Sequence, residues 1–243
     1  LPDILSEEGI STNWLHLYIK NDVLPTTKKA TELIQKFNKL GECKQTYATL
    51  DTFLNWKVVW NTLLDWRLIF QVGREIEDLN LDNEDAGYLW PFIESDLKES
   101  LIGRTALGNL LNFNLFEEAL RLLPQQKKGV YLQENQGWEF GLIQAWKAKG
   151  HDNLIGVPHS TVRFWDLRYF FDTRSYNGNI SNQLPRPDRV AVNGKAARNI
   201  YIQGGYPKNE LVDVEALRYL HLNTLFEKKE QLLNNSSTIR FLV

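Results

Sequence analysis

The stretch that most constrains the fold is Lys128–Asp166, KGVYLQENQGWEFGLIQAWKAKGHDNLIGVPHSTVRFWD. Gly129–Leu132 is a short apolar run rich in β formers. Trp138–Lys149 carries apolar residues at Trp138, Leu142, Ala145 and Trp146, the spacing of one face of an amphipathic helix. Gly150 closes that helix, as a C′ glycine does. Leu154–Val157 is a second apolar run. A strand–helix–strand unit of this length accommodates only a parallel, right-handed crossover. Both strands then point their C-terminal ends the same way. Gln133-Glu134-Asn135 follows the first strand and Pro158-His159-Ser160-Thr161 the second, which places Glu134 and His159 on one rim although they are 25 positions apart. In open parallel sheets ligands sit outside such ends.

A second β-α-β pattern precedes it. Asn13–Ile19 reads as a strand, Thr26 or Thr27 caps a helix running to Leu40, and Gln45–Leu50 reads as a strand ended by Asp51. We expect these strands in the same sheet, so that Asp51 joins Glu134 and His159. Between about 52 and 124 the pattern becomes long and helical, over Phe53–Leu79, Tyr88–Leu101 and Ala106–Leu123. This is the signature of a helical insertion, with Trp56, Trp60 and Trp66 expected in its core because large aromatics are buried on average. After the central unit, Ser160 and Thr161 open a further helix. Thr173–Arg186 reads as a loop, Asp188–Val192 as a strand and Ala196–Ile202 as a short helix broken by Gly204-Gly205-Tyr206-Pro207. Val212–Leu222 reads as another helix. The fold class expected is α/β: a Rossmann-like parallel sheet flanked by helices, with a helical insertion.

Composition narrows function. The chain has 243 residues, 43% of them hydrophobic and 24% charged, with a net charge of −2, so no overall attraction for nucleic acid is expected. Cys43 is the single cysteine, which excludes an internal disulfide and a cysteine-based metal site. No apolar run reaches the roughly 18 residues of a transmembrane helix. No GxGxxG follows the first strand, and no GxxxxGK[ST], HExxH or GxSxG occurs. Neither a cofactor nor a metal is expected. The chain lacks methionine and begins at Leu1. Leu1–Gly9 reads as the body of a helix and Ser237–Val243 as the start of a strand. We therefore expect a segment of a longer chain.

The chemistry centres on a few side chains. Glu134 can serve as general base, as nucleophile towards an anomeric carbon or as a hydroxyl-binding group, or simply as an acid near a helix start. Glu139, inside the helix, reads as structural. His159 can donate to a phosphate or carboxylate, or move a proton near neutral pH. Ser160 and Thr161 can cap a helix whose N-terminus receives an anion. Arg163 and Arg168 can grip that anion with a fork. His16 and His221 read as structural and His151 as a surface residue.

The segments LPDILSEEGISTNWLHLYIK, YLQENQGWEFGLIQAWKAKG, LIGVPHSTVRFWDLRYF, PDRVAVNGKAARN and GGYPKNELVDVEALRYL resemble a bacterial family of surface carbohydrate biosynthesis proteins, linked to O-antigen and capsule gene clusters. That family looks like glycosyltransferases of the two-Rossmann-domain kind, distantly similar to transferases of nucleotide-activated Kdo or sialic acid. The resemblance implies an N-terminal domain over 1–193, an interdomain connection over 194–236 and the start of a second domain at 237–243. It implies a nucleotide-sugar donor, a glycan acceptor and a site facing an interdomain cleft. Glu134, His159 and Asp51 would be catalytic there, with Ser160, Thr161, Arg163, Asn135, Asn193, Glu215 and Arg218 binding substrate. The expected setting is cytoplasmic, at the inner membrane face with peripheral association. Two other classes fit the same residues: a non-catalytic sugar-binding or assembly module, and a flavodoxin-like regulatory domain with Asp51 and Asp22 as its acidic cluster.

Overall fold

The computed structural model describes residues 2–39, 44–78, 90–159, 162–163, 166–177 and 183–215. The fold is α/β, with parallel sheets flanked by helices and a helical insertion, a Rossmann-like arrangement. It divides into two compact units. One comprises Leu1–Lys127 with Gln136–Asp152, the other Lys128–Asn135 with Asn153–Val243.

The first unit begins with helix α1 (Pro2–Glu7), then strand β1 (Thr12–His16), helix α2 (Thr27–Lys39) and strand β2 (Gln45–Thr49). β1 and β2 pair in parallel, Thr12 opposite Gln45 and His16 opposite Thr49. Thr26 Oγ1 caps α2 by accepting the Lys29 N–H at 3.3 Å. Asn38, near the end of α2, brackets Tyr47 on the edge of β2. Its Nδ2 donates to Tyr47 O (2.8 Å) and its Oδ1 accepts the Tyr47 N–H (2.9 Å). The amide thus satisfies a strand edge as a neighbouring strand would.

The insertion follows as α3 (Trp56–Asp78), α4 (Trp90–Leu101) and α5 (Arg104–Leu122), and α6 (Gly137–Ala148) packs on α5. Leu115, Phe116, Ala119 and Leu120 of α5 and Leu142, Ile143, Ala145 and Trp146 of α6 are buried. The helices approach closely at Gly141, where a Cβ would lie 3.1 Å from the Cα of Phe113. The end of α6 follows the sequence: Gly150 takes φ 70°, a left-handed conformation suited to glycine.

The second unit holds β3 (Gly129–Gln133), β4 (Leu154–Pro158), β5 (Arg189–Val192) and β6 (Leu211–Asp213), in that spatial order and all parallel. α7 (Arg174–Asn177) lies between β4 and β5 in sequence, and α8 (Lys195–Gln203) packs on β5. The core is aromatic. Tyr201 of α8 meets Tyr169 edge-on at 5.2 Å and Tyr206 at 5.4 Å, over Val190, Val192 and Leu211.

Four expectations are corrected. β1 and β2 form their own two-stranded sheet instead of joining β3–β6, because alternation predicts strands but not their partners. Trp56 and Trp60 are 87% and 64% exposed, not core, since the inward face of α3 is taken by Val58 and Thr62. Val212 and Asp213 of the expected helix Val212–Leu222 belong instead to strand β6, held by β5, and its residues beyond 215 lie outside the described ones. After β4 the described residues show a 3₁₀ turn at Leu167–Tyr169, capped by Asp166, where a full helix was expected. No helix among the described residues is long and apolar enough to cross a membrane.

Candidate active site at the ends of β3 and β4

The parallel register Gln133 opposite Pro158 brings the next residues of both strands, Glu134 and His159, side by side. The ladder continues for one more bond, His159 N–H to Gln133 O at 3.0 Å. Pleating turns alternate residues to opposite faces. Tyr131 and Gln133 therefore point into the tyrosine core, where Tyr201 Oη donates to Gln133 Oε1 at 3.2 Å. Glu134 falls on the other face. Its Oε1 lies 3.8 Å from His159 Nε2, with the two side chains 41% and 49% exposed. That separation is an ion-pair distance, longer than a direct hydrogen bond. An exposed pair of this kind adds little to stability, so it is the anchored backbone that places the two groups.

A second layer of charge lies beside them. Arg168 donates from Nη1 to Glu134 O at 3.2 Å, and its Nε and Nη2 bond Asp166 at 2.9 and 2.6 Å. The Arg168 guanidinium holds the Asp166 carboxyl below the usual carboxylate range, with the Arg163 charge adding to the effect. Asp166 in turn holds the Arg168 guanidinium above its usual value. The expected Arg163–Arg168 fork is thus half committed: Arg168 is spent on Asp166, and Arg163 remains exposed next to it. Asn135 adopts φ 56°, a left-handed backbone that asparagine tolerates. Its Oδ1 accepts from Gln133 Nε2 at 2.9 Å, while its Nδ2 is buried without a hydrogen-bond partner among the described residues.

The remaining expected site residues are less concentrated. Asn193 is exposed just past β5, and Glu215 is exposed two residues past β6. Among the described residues no hydrogen bond or ion pair ties either to Glu134 or His159. Asp51 sits in a 3₁₀ turn after β2, in the first unit, so the shared sheet that would have aligned it with Glu134 does not exist. Ser160, Thr161 and Arg218 lie outside the described residues. Glu139 is structural: its Oε1 accepts the Gln136 N–H at 2.9 Å in a capping box. His16 stacks on Tyr47 at 6.1 Å. His151 is buried, contrary to expectation. Its Nδ1 accepts the Gln126 N–H at 3.0 Å and its Nε2 lies 3.2 Å from Leu120 O. Sequence reasoning overlooked Gln133, Tyr201 and Asp166. The signal was there for Gln133, a lone amide ending an otherwise apolar strand.

Among the described residues no group of three or more His, Cys, Asp or Glu is arranged to hold a metal ion. A cleft of about 410 Å³ in the first unit is lined by Lys57, Asp65, Glu117, Glu118, Arg121 and Lys149, among others. Those charges are largely committed to one another: Arg121 forks onto Glu118, Lys149 pairs with Glu117, and Asn114 donates to Asp65 at 2.8 Å. It reads as scaffold. No family model matches the chain, and neither a curated protein nor a solved structure does.

Proposed function

We propose that this chain is part of a glycosyltransferase of bacterial surface polysaccharide synthesis, such as O-antigen, capsule or lipopolysaccharide, using a nucleotide-activated sugar. The observation that carries the reading is the Glu134–His159 pair, 3.8 Å apart and open to solvent at the ends of two parallel strands. The family resemblance of ENQ-x-WE and G-x-x-HSTVRFWDLRYF supports it. The carboxylate of Glu134 takes the proton of an acceptor hydroxyl as its oxygen attacks the anomeric carbon. The bond from that carbon to the nucleotide phosphate breaks, and the electron pair leaves with the phosphate. His159 and Arg163 offer donors to the departing phosphate or to a sugar carboxylate. Arg168, tied to Asp166, positions Glu134 through its backbone carbonyl. A second domain of the same chain would supply the rest of the donor site, and the reaction would run in the cytoplasm at the inner membrane face.

The test mixes the full-length protein with CMP-Kdo, CMP-sialic acid and UDP- or GDP-hexoses, with lipid-linked or oligosaccharide acceptors, and follows nucleotide release. Glu134→Ala and His159→Ala are each expected to slow an active preparation by roughly a hundredfold or more. Wild-type turnover in both would remove the pair from the mechanism. Glycan binding that needs no nucleotide, without any turnover, would favour a sugar-binding module.

A further inference from the structure

Gln133 ends β3 at 3% exposure, and both arms of its amide are engaged. Its Oε1 accepts from the hydroxyl of Tyr201 at 3.2 Å, a residue sealed in the aromatic core. Its Nε2 donates to Asn135 Oδ1 at 2.9 Å. Three side chains thus form one run of hydrogen bonds from the core to the rim, with Glu134 between the last two in sequence. The backbone of β4 makes room for that run. At Gly156 a Cβ would lie 2.9 Å from Gln133 Oε1.

The run has a direction. A tyrosine hydroxyl carries one proton, and giving it to Gln133 Oε1 leaves the Gln133 nitrogen to donate onward. Asn135 then meets Gln133 with its oxygen. Its nitrogen sits on the other arm of the same planar amide, turned away from Gln133. That Nδ2 is buried and has no hydrogen-bond partner among the described residues. An unpaired buried donor costs stability, and native folds retain few of them. Asn135 also holds a left-handed backbone, φ 56°, alone among the described non-glycine residues. Strain and an unmet donor coincide at one residue, next to the Glu134–His159 pair. Such coincidences gather where a ligand is held. The side chains of Glu134 and His159, 41% and 49% exposed, can move aside to admit one.

We infer that Tyr201 and Gln133 are positioning residues, which fix the Asn135 amide so that its Nδ2 donates to an oxyanion bound at the β3–β4 rim. The oxyanion is a phosphate or a carboxylate, because an N–H bond to a charged oxygen is the strong kind and His159 and Arg163 supply the cationic surroundings. Their role rests on the reading of the rim as a ligand site, but not on sugar transfer. Neither residue touches the ligand; each acts through Asn135.

The test follows the Asn135 side-chain amide of the full chain by heteronuclear NMR, with inorganic phosphate and acetate as separate probes. Asn135→Asp identifies the signals by removing them. The Asn135 amide protons are expected to shift as either probe saturates. A response to phosphate alone assigns the donor to a phosphate, and a response to acetate alone to a carboxylate. Tyr201→Phe keeps the ring and loses only the hydroxyl. It is expected to weaken binding about tenfold and to split the Asn135 signals, since the amide is no longer held one way round. Gln133→Glu accepts from both neighbours, draws Nδ2 inward and is expected to abolish the response. Tyr201→Phe decides the matter if Gln133→Glu does not fold. Wild-type Asn135 signals that stay in place with both probes would overturn the inference. So would a Tyr201→Phe variant that melts lower yet binds the probe as tightly as the wild type, the mark of a purely structural hydroxyl. Failure of the transfer reading looks different: no nucleotide release from any sugar donor, with the Asn135 response intact.

Discussion

Two glutamates show how this molecule divides its charges. Glu118 of α5 is buried and takes the Arg121 fork at 3.0 and 2.9 Å with the Asn55 amide at 3.1 Å. Glu134 stands at the end of β3, its side chain 41% exposed, with the His159 imidazole 3.8 Å away. The chemistry of the two side chains is the same. Burial makes an unpaired carboxylate costly, so the fold surrounds Glu118 with donors and turns it into scaffold. Partial exposure relaxes that demand: Glu134 ends a strand anchored by the β3–β4 ladder, and its carboxylate stays within reach of a ligand. Where a charge is fully paired inside the fold, we therefore read structure. Where the backbone is anchored and the charged end is not enclosed, we read function.

That contrast is best broken from the core outward. The largest effect should come from Tyr201→Ala, which empties the centre of the second unit's aromatic cluster and removes the hydroxyl bonded to Gln133. A loss of about 3–5 kcal/mol in unfolding free energy is expected by denaturant titration. If instead the variant melts like the wild type, the tyrosine cluster does not support the β3–β4 rim.

Gly156→Ala comes next. Its Cβ would sit 2.9 Å from Gln133 Oε1 and 3.1 Å from Tyr131 Oη, both in the packed core. The expected cost is about 1–3 kcal/mol, together with a displaced Gln133 and hence a disturbed Glu134. A crystal structure of the variant would show whether the rim moves with the core beneath it.

Glu118→Gln should cost about 1–2 kcal/mol, because the charge-assisted bonds from Arg121 weaken. It carries a pH signature. Arg121 hydrogen bonding holds the Glu118 carboxyl below its ordinary value in the folded protein. A depressed folded pKa adds stability that is present above the unfolded value, near 4.3, and is lost as pH falls through the folded one. Melting curves taken from neutral pH down to about pH 3 should therefore fall less steeply for Glu118→Gln than for the wild type. Parallel curves would mean that the buried pair is not coupled to folding.

The smallest effects on stability belong to the rim. Glu134→Gln and His159→Ala should each change unfolding free energy by less than about 0.5 kcal/mol, whereas the proposed function requires both to suppress sugar transfer. A large destabilisation in either would place Glu134 with Glu118, as a structural acid.

Much of the local structure was legible from the residues. The β3–α6–β4 pattern, its closing glycine at Gly150, the structural role of Glu139 and the helical insertion all follow from short-range periodicity and end chemistry. The adjacency of Glu134 and His159 was legible too, because two parallel strands of equal length force their next residues together. The core environment of Gln133 was not, since its partner Tyr201 stands 68 residues away. Trp56 and Trp60 looked like core by type, but a helix with one buried face leaves its other side to solvent whatever residues it bears. His151 looked like a surface residue beside Gly150 and Asp152, and is buried by the Gln126 backbone and Leu120.

By itself, then, the order of residues determined which segments are helix or strand in most of the chain, where α6 stops, and that one acid and one imidazole end neighbouring parallel strands. These are consequences of interactions spanning a few residues, or of a single crossover. The tertiary structure alone decided that the strands form two sheets and that Arg168 is committed to Asp166. It also decided that Trp56 and Trp60 of α3 face outward. Each of these depends on which distant surface wins a given partner, and that competition is settled by packing across the fold rather than by any local pattern.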